Sequence, residues 1–190
     1  MTALLRLSRL IDGLNEQVGR LVYWLVLAAV LVSAGNAISR YAFNLSSNAW
    51  LEIQWYLFSA VFLVGAGYTL RHNEHIRIDI LTGRLSARIR AWIDLLGTVF
   101  FLLPMATYIF WLSWPMVEDS FLREEMSSDA GGLVRWPVKA LIPLGFFLLS
   151  LQGVSELIKR IAFLHGDIPD PTEKHELPPE VEVMQDEARP

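Results

Sequence analysis

Leu95-Leu-Gly-Thr-Val-Phe-Phe-Leu-Leu-Pro-Met-Ala-Thr-Tyr-Ile-Phe-Trp-Leu-Ser-Trp-Pro-Met-Val117 runs for 23 residues without a charge. As a helix it would reach about 34 Å, enough to cross roughly 30 Å of hydrocarbon. On either side of it, residues 21–39, 53–70 and 140–155 are uncharged as well. The last run is short, but Trp136–Val138 before it and residues 158–164 after it extend the apolar pattern, with Lys139 and Glu156 able to snorkel to the interfaces. These runs are apolar on all faces, which a single soluble core would not require. They predict an all-α integral membrane protein with four transmembrane helices.

Composition agrees. Of the 190 residues 53% are hydrophobic, and the charges cluster between the apolar runs. The net charge of −4 carries little weight, because much of the acid lies in the C-terminal tail. The chain has no cysteine, which excludes disulfides, thiolate metal sites, iron–sulfur clusters and cysteine nucleophiles. The first run follows a leader containing Asp12 and Glu16 and is too long for a signal-peptide core, so it is expected to remain as the first span.

Basic residues set the expected orientation. Twelve Lys and Arg fall in the leader, in the connection between spans two and three, and in the tail; four (Arg40, Arg123, Arg135 and Lys139) fall on the opposite side. Both termini are therefore expected in the cytoplasm, with the acid-rich stretch 118–129 outside. All seven tryptophans (Trp24, Trp50, Trp55, Trp92, Trp111, Trp114 and Trp136) fall near span ends, where amphipathic rings favour the headgroup layer.

Between the spans, Leu4, Leu7, Ile11, Leu14, Val18 and Leu21 make an apolar stripe opposite Arg6, Arg9, Asp12 and Glu16. This predicts an amphipathic helix over residues 1–20 in the cytoplasmic interface, before a membrane bundle over 21–164. A second interfacial helix is expected over 78–93, with Ile78, Leu81, Leu85, Ile89 and Trp92 on one face. Residues 165–190 are rich in Pro, Glu and Asp and are expected to be disordered.

Chemistry is sparse. The four histidines, His72, His75, His165 and His175, lie outside the apolar cores, which argues against haem ligation. His72, Glu74, His75 and Asp79 have no fixed ligand spacing and read as a solvated interfacial face rather than a metal site. No Ser–His–Asp arrangement, phosphate-binding loop or dinucleotide fingerprint occurs. Glu52 and Asp94 are the deepest acids, and neither reaches the expected midplane, where a self-sufficient transporter would place one. Glu52 is expected in the first turn of span two, behind a Ser47 or Asn48 cap, with Arg40 as its partner across the hairpin. Ala29, Ser33 and Ala37 form a small-residue ridge suited to close helix approach. Pro104 and Pro143 are expected to kink spans three and four. No catalytic residue, cofactor, metal or nucleic-acid partner is expected.

A four-span chain without a site suggests an accessory subunit. The stretch Asn48-Ala-Trp-Leu-Glu-Ile-Gln-Trp-Tyr-Leu-Phe58, then Phe62-Leu-Val-Gly-Ala-Gly-Tyr68 and His75-Ile-Arg-Ile-Asp79, resembles the small membrane subunit of tripartite ATP-independent periplasmic (TRAP) transporters. Gly131-Gly132-Leu133, Trp136-Pro137 and Ile142-Pro143-Leu-Gly-Phe146 resemble that family's outer loop and fourth span. The resemblance covers roughly residues 20 to 160. At Ile53-Gln54 it departs from members that carry a second acid and a nearby basic residue.

The resemblance implies a bacterial inner-membrane scaffold, not an enzyme. Its partners would be a large permease subunit, a periplasmic solute-binding protein and membrane lipids. The complex would import a small organic acid with sodium, the small subunit supporting the static domain while a transport domain moves as an elevator. Arg40, Trp50, Glu52, Trp55, His75, Asp79 and Trp136 are the expected interface or structural residues. The competing reading is a membrane-anchor or assembly subunit of another inner-membrane complex.

Overall fold

The computed structural model describes residues 2–45, 47–72 and 85–169. Within them the chain is helical: α1 (Thr2–Phe43), α2 (Asn48–Arg71), α3 (Ala87–Gly97), a π-helical turn (Thr98–Leu102), α4 (Leu103–Leu122) and α5 (Trp136–His165). The stretch from Ala87 to Leu122 is one continuous rod, so four helices are long and apolar enough to cross a membrane.

Each helix ends for a local reason. After α1, Asn44 takes a left-handed φ of 53°, which asparagine tolerates, and the chain turns back within a few residues. After α5, Gly166 (φ 86°) closes a Schellman turn, the Asp167 N–H reaching the Ala162 carbonyl at 2.9 Å and the Gly166 N–H reaching Phe163 at 3.0 Å. Pro137 sits in the first turn of α5, where its missing N–H leaves no bond unmade. The π turn lies just before Pro104, whose ring would crowd the Phe100 carbonyl in a regular helix; widening the helix there relieves the clash. At Pro143 the helix type does not change, and α5 continues past the proline as an α-helix.

α5 is the hub. It packs against α1, α2, α3 and α4, and α1 packs along α2. Its buried residues run from Pro143 to Ala162, whereas in the most apolar 18-residue window of α1 no residue is buried. The close approaches are made by glycines. A Cβ on Gly145 would stand 2.5 Å from the Leu63 carbonyl oxygen, and one on Gly19 would overlap the Tyr68 ring at 2.1 Å. The ridge of Ala29, Ser33 and Ala37 does not do this work within the chain: Ala29 and Ser33 border an open cleft.

The two stretches expected as interfacial helices are continuous with spans where they are described. Residues 2–20 are helical, but they join the first span without a break. Ile89 and Trp92 likewise belong to the rod that continues into span three, while positions 78–84 lie outside the described residues. The leader keeps its leucines on the side away from the protein, where an interfacial helix would meet lipid. Ser8, Ile11, Asn15 and Gly19 are buried against the protein, and Leu4, Leu7, Leu10 and Leu14 point outward.

Candidate functional site

The polar side chains gather in two places, one at each end of the helical array. The outer one, at the end expected to face away from the cytoplasm, centres on Glu52, which lies in the second turn of α2 rather than the first and is only 2% exposed. No helix cap forms: Ser47 makes no side-chain capping bond, and Asn48 Nδ2 instead donates to the Ala130 carbonyl at 3.0 Å. Arg40 is not the partner of Glu52. The 123–135 loop folds over α2 and supplies the partners itself.

That loop is a small hairpin. The Ser127 N–H donates to the Leu133 carbonyl at 2.9 Å, and the Arg135 N–H donates to Glu125 at 2.8 Å. It presents the Ser127 hydroxyl to Glu52 Oε1 and the Leu133 N–H to Glu52 Oε2, the latter at 2.6 Å. Arg135 Nη2 stands 3.9 Å from Oε1 and donates to Ser127 Oγ at 3.1 Å, with its guanidinium 5.3 Å over the Trp55 ring. Gly131 turns the hairpin at a φ of 73°. Gly132 leaves the space the carboxylate needs, since a Cβ there would lie 2.8 Å from Glu52 Oε1 and 2.4 Å from Ser127 Cβ. Tyr56 donates to the Val134 carbonyl at 3.0 Å, fixing the loop's far strand.

Outside the span the loop is pinned once more. Lys139 Nζ donates to Glu125 Oε2, and this ammonium holds the Glu125 carboxyl below its ordinary value. Trp136 packs edge-to-face on Phe121 at 5.5 Å, joining the ends of α4 and α5.

The inner cluster joins α1 to α5. Asn15 Nδ2 donates to Gln152 Oε1 at 2.9 Å; Gln152 Nε2 donates to Asp12 Oδ1 at 2.9 Å and to Glu156 Oε1 at 3.1 Å. Ser155 Oγ donates to Asp12 Oδ1 at 2.7 Å and lies 2.8 Å from Ser8 Oγ, while Lys159 reaches Asp12 Oδ2 at 3.3 Å. Nearby, Arg71 donates to the Asp12 carbonyl at 2.8 Å and pairs with Glu16, tying α2 to α1. On the opposite flank Arg160 of α5 holds Asp94 of α3 at 3.1 Å.

Of the residues singled out from the sequence, Glu52 and Trp55 meet in the outer clasp and Trp136 sits beside it. Trp50 stands on the outer surface of α2, and Arg40 is exposed at the end of α1. His75 and Asp79 lie outside the described residues. The inner cluster escaped sequence reading, although Ser8, Asp12 and Asn15 at i, i+4 and i+7 mark one helix face, as do Gln152, Ser155, Glu156 and Lys159. Both clusters spend their carboxylates on protein donors. Among the described residues no group of three His, Cys, Asp or Glu is arranged to hold a metal ion. The geometry clamps helices together.

No curated protein and no solved structure matches the chain. Residues 29–163, which take in the Glu52 clasp and most of α5, match the family described as "Tripartite ATP-independent periplasmic transporters, DctQ component". The chain therefore belongs to the DctQ family, the small membrane component of TRAP transporters.

Proposed function

We propose that this chain is the fixed small subunit of a sodium-coupled importer in the bacterial inner membrane, oriented with both termini in the cytoplasm. A periplasmic binding protein delivers a small organic acid, and the large permease subunit carries it across as an elevator. This chain braces the permease's static domain. The observation that carries the reading is the disposal of charge: the acids Asp12, Glu16, Glu52 and Asp94 are each matched by donors within the chain. A subunit that moved an ion or substrate by itself would keep such a group available in the membrane. Apolar and aromatic side chains are left facing outward instead, on α1 and along the α3–α4 rod.

The test is reconstitution with a permease subunit and its binding protein. The two membrane chains should co-purify in a fixed ratio, and substrate uptake should need both of them, the binding protein and an inward sodium gradient. Uptake by vesicles that hold this chain alone would overturn the scaffold role. Co-purification with a respiratory complex in its place would favour the membrane-anchor reading.

A further inference from the structure

α1 and α2 are tightly joined at their inner ends and apart at their outer ends. At the inner end the ring of Tyr68 fills the space over Gly19, and Val22 lies against Gly65. Farther out, the two helices bound a cleft of about 870 Å³ between Ala29 and Ser33 on one wall and Gln54, Trp55 and Phe58 on the other. Its rim is apolar and exposed, Phe58 at 66%. The α2 wall is held in place from outside by the clasp, through Arg135 over Trp55 and through Glu52 one turn above.

Two features say what fits there. The α1 wall is built of small residues, which let another backbone come close. Gln54 carries a primary amide into the cleft, and it has no hydrogen-bond partner among the described residues. Gln54 is part-buried among Leu51, Trp55 and Phe58, where an unpaired amide is costly, and an acyl chain fills volume without offering it a partner. A helix brings both bulk and a polar side chain.

We propose that the outer α1–α2 cleft seats a transmembrane helix of the large permease subunit, apolar except for a hydrogen-bonding side chain level with Gln54. This rests on the scaffold reading above and names the face that performs it.

Phe58 and Phe100 provide a matched test, because Phe100 is 67% exposed on the rod whose main contacts are with α5. Each is replaced in turn by the photoreactive p-benzoylphenylalanine, in the full complex co-expressed in membranes. Phe58→p-benzoylphenylalanine should give an adduct that maps to a membrane-spanning segment of the permease. Adducts from Phe100 alone, self-adducts between copies of this chain, or lipid adducts alone from Phe58 would overturn the cleft assignment while subunit co-purification keeps the scaffold reading intact. Failure of the unmodified chains to co-purify would sink the scaffold reading itself. A second variant covers poor folding of the first. Gln54→Leu should leave the isolated chain as stable as before, yet lower permease recovery about three- to tenfold, the factor for one interhelical hydrogen bond. Unchanged recovery would overturn the proposal.

Discussion

Asn15 and Gln152 lie 137 residues apart in the chain and join amide to amide at 2.9 Å, both fully buried. The pair decides which face of α1 looks inward. Replacing Gln152 with leucine keeps the bulk but takes from Asn15 Nδ2 its bond across to α5, leaving it the Ile11 carbonyl at 3.3 Å, at about 1–3 kcal/mol for the lost partner. Thermal unfolding of the purified chain should show that loss for Gln152→Leu. The double change Asn15→Leu with Gln152→Leu should cost clearly less than the two single changes added together, because neither amide is then left facing an apolar partner. Simple additivity would mean the two side chains are not coupled.

Glycines separate tight approaches from incidental ones. Gly145→Ala puts a methyl 2.5 Å from the Leu63 carbonyl oxygen, a backbone atom that cannot swing away, so the expected loss is about 1–3 kcal/mol. Gly13 has nothing within 4 Å of the same construction. Gly13→Ala should therefore stabilise, by up to about 1 kcal/mol, through helix propensity alone. Opposite signs in the two melting shifts are the expected result.

The four spans were legible because an apolar run long enough to cross a bilayer has few other uses. The clasp was half legible: the Trp50–Glu52 segment, Gly131-Gly132-Leu133 and Trp136-Pro137 are its parts, but nothing in their spacing says that residue 52 meets residue 133 rather than Arg40. The inner cluster was missed for a physical reason. In water, a stripe such as Leu4, Leu7, Ile11 and Leu14 turns inward and the polar face turns out. Here Ser8, Asp12 and Asn15 turn inward, because α5 offers Gln152, Ser155 and Lys159, and the leucines are left outside, where lipid or a partner can cover them.

The Glu125–Lys139 pair makes stability depend on pH in a stated direction. Its folded-state carboxyl is held below the ordinary value by Lys139, so the unfolded chain binds the proton more readily than the folded one. The stabilisation is then complete above the ordinary glutamate range of about 4.3 and is lost as pH falls through the lower folded value. The melting temperature of the native chain should exceed that of Glu125→Gln at neutral pH, and the gap should close on acidification below about pH 4. A gap independent of pH would exclude the carboxylate as its cause.

Orientation is open to direct measurement. With twelve basic residues on one side and four on the other, reporter fusions after Arg20, within 82–90 and after Gly166 should report cytoplasm. Fusions within 120–130 should report the outer compartment. A cytoplasmic signal from that acidic loop would reverse the arrangement and place the Glu52 clasp on the inner side.

Glu52→Gln isolates structure from chemistry at the clasp. The amide keeps one oxygen to accept from either Ser127 or Leu133, but its NH2 group is turned against the other donor, and the charge facing Arg135 is gone. The 123–135 hairpin should then lift from α2. Arg123 is exposed within it, so trypsin should cleave after that residue several-fold faster in detergent-solubilised Glu52→Gln than in the native chain. Because the partners of the carboxylate among the described residues are those of the 123–135 hairpin, substrate uptake per assembled complex should stay unchanged while the amount of complex falls. If assembly and Arg123 protection are intact yet sodium dependence is lost, Glu52 handles the ion, and the clasp is part of the transport path rather than its brace.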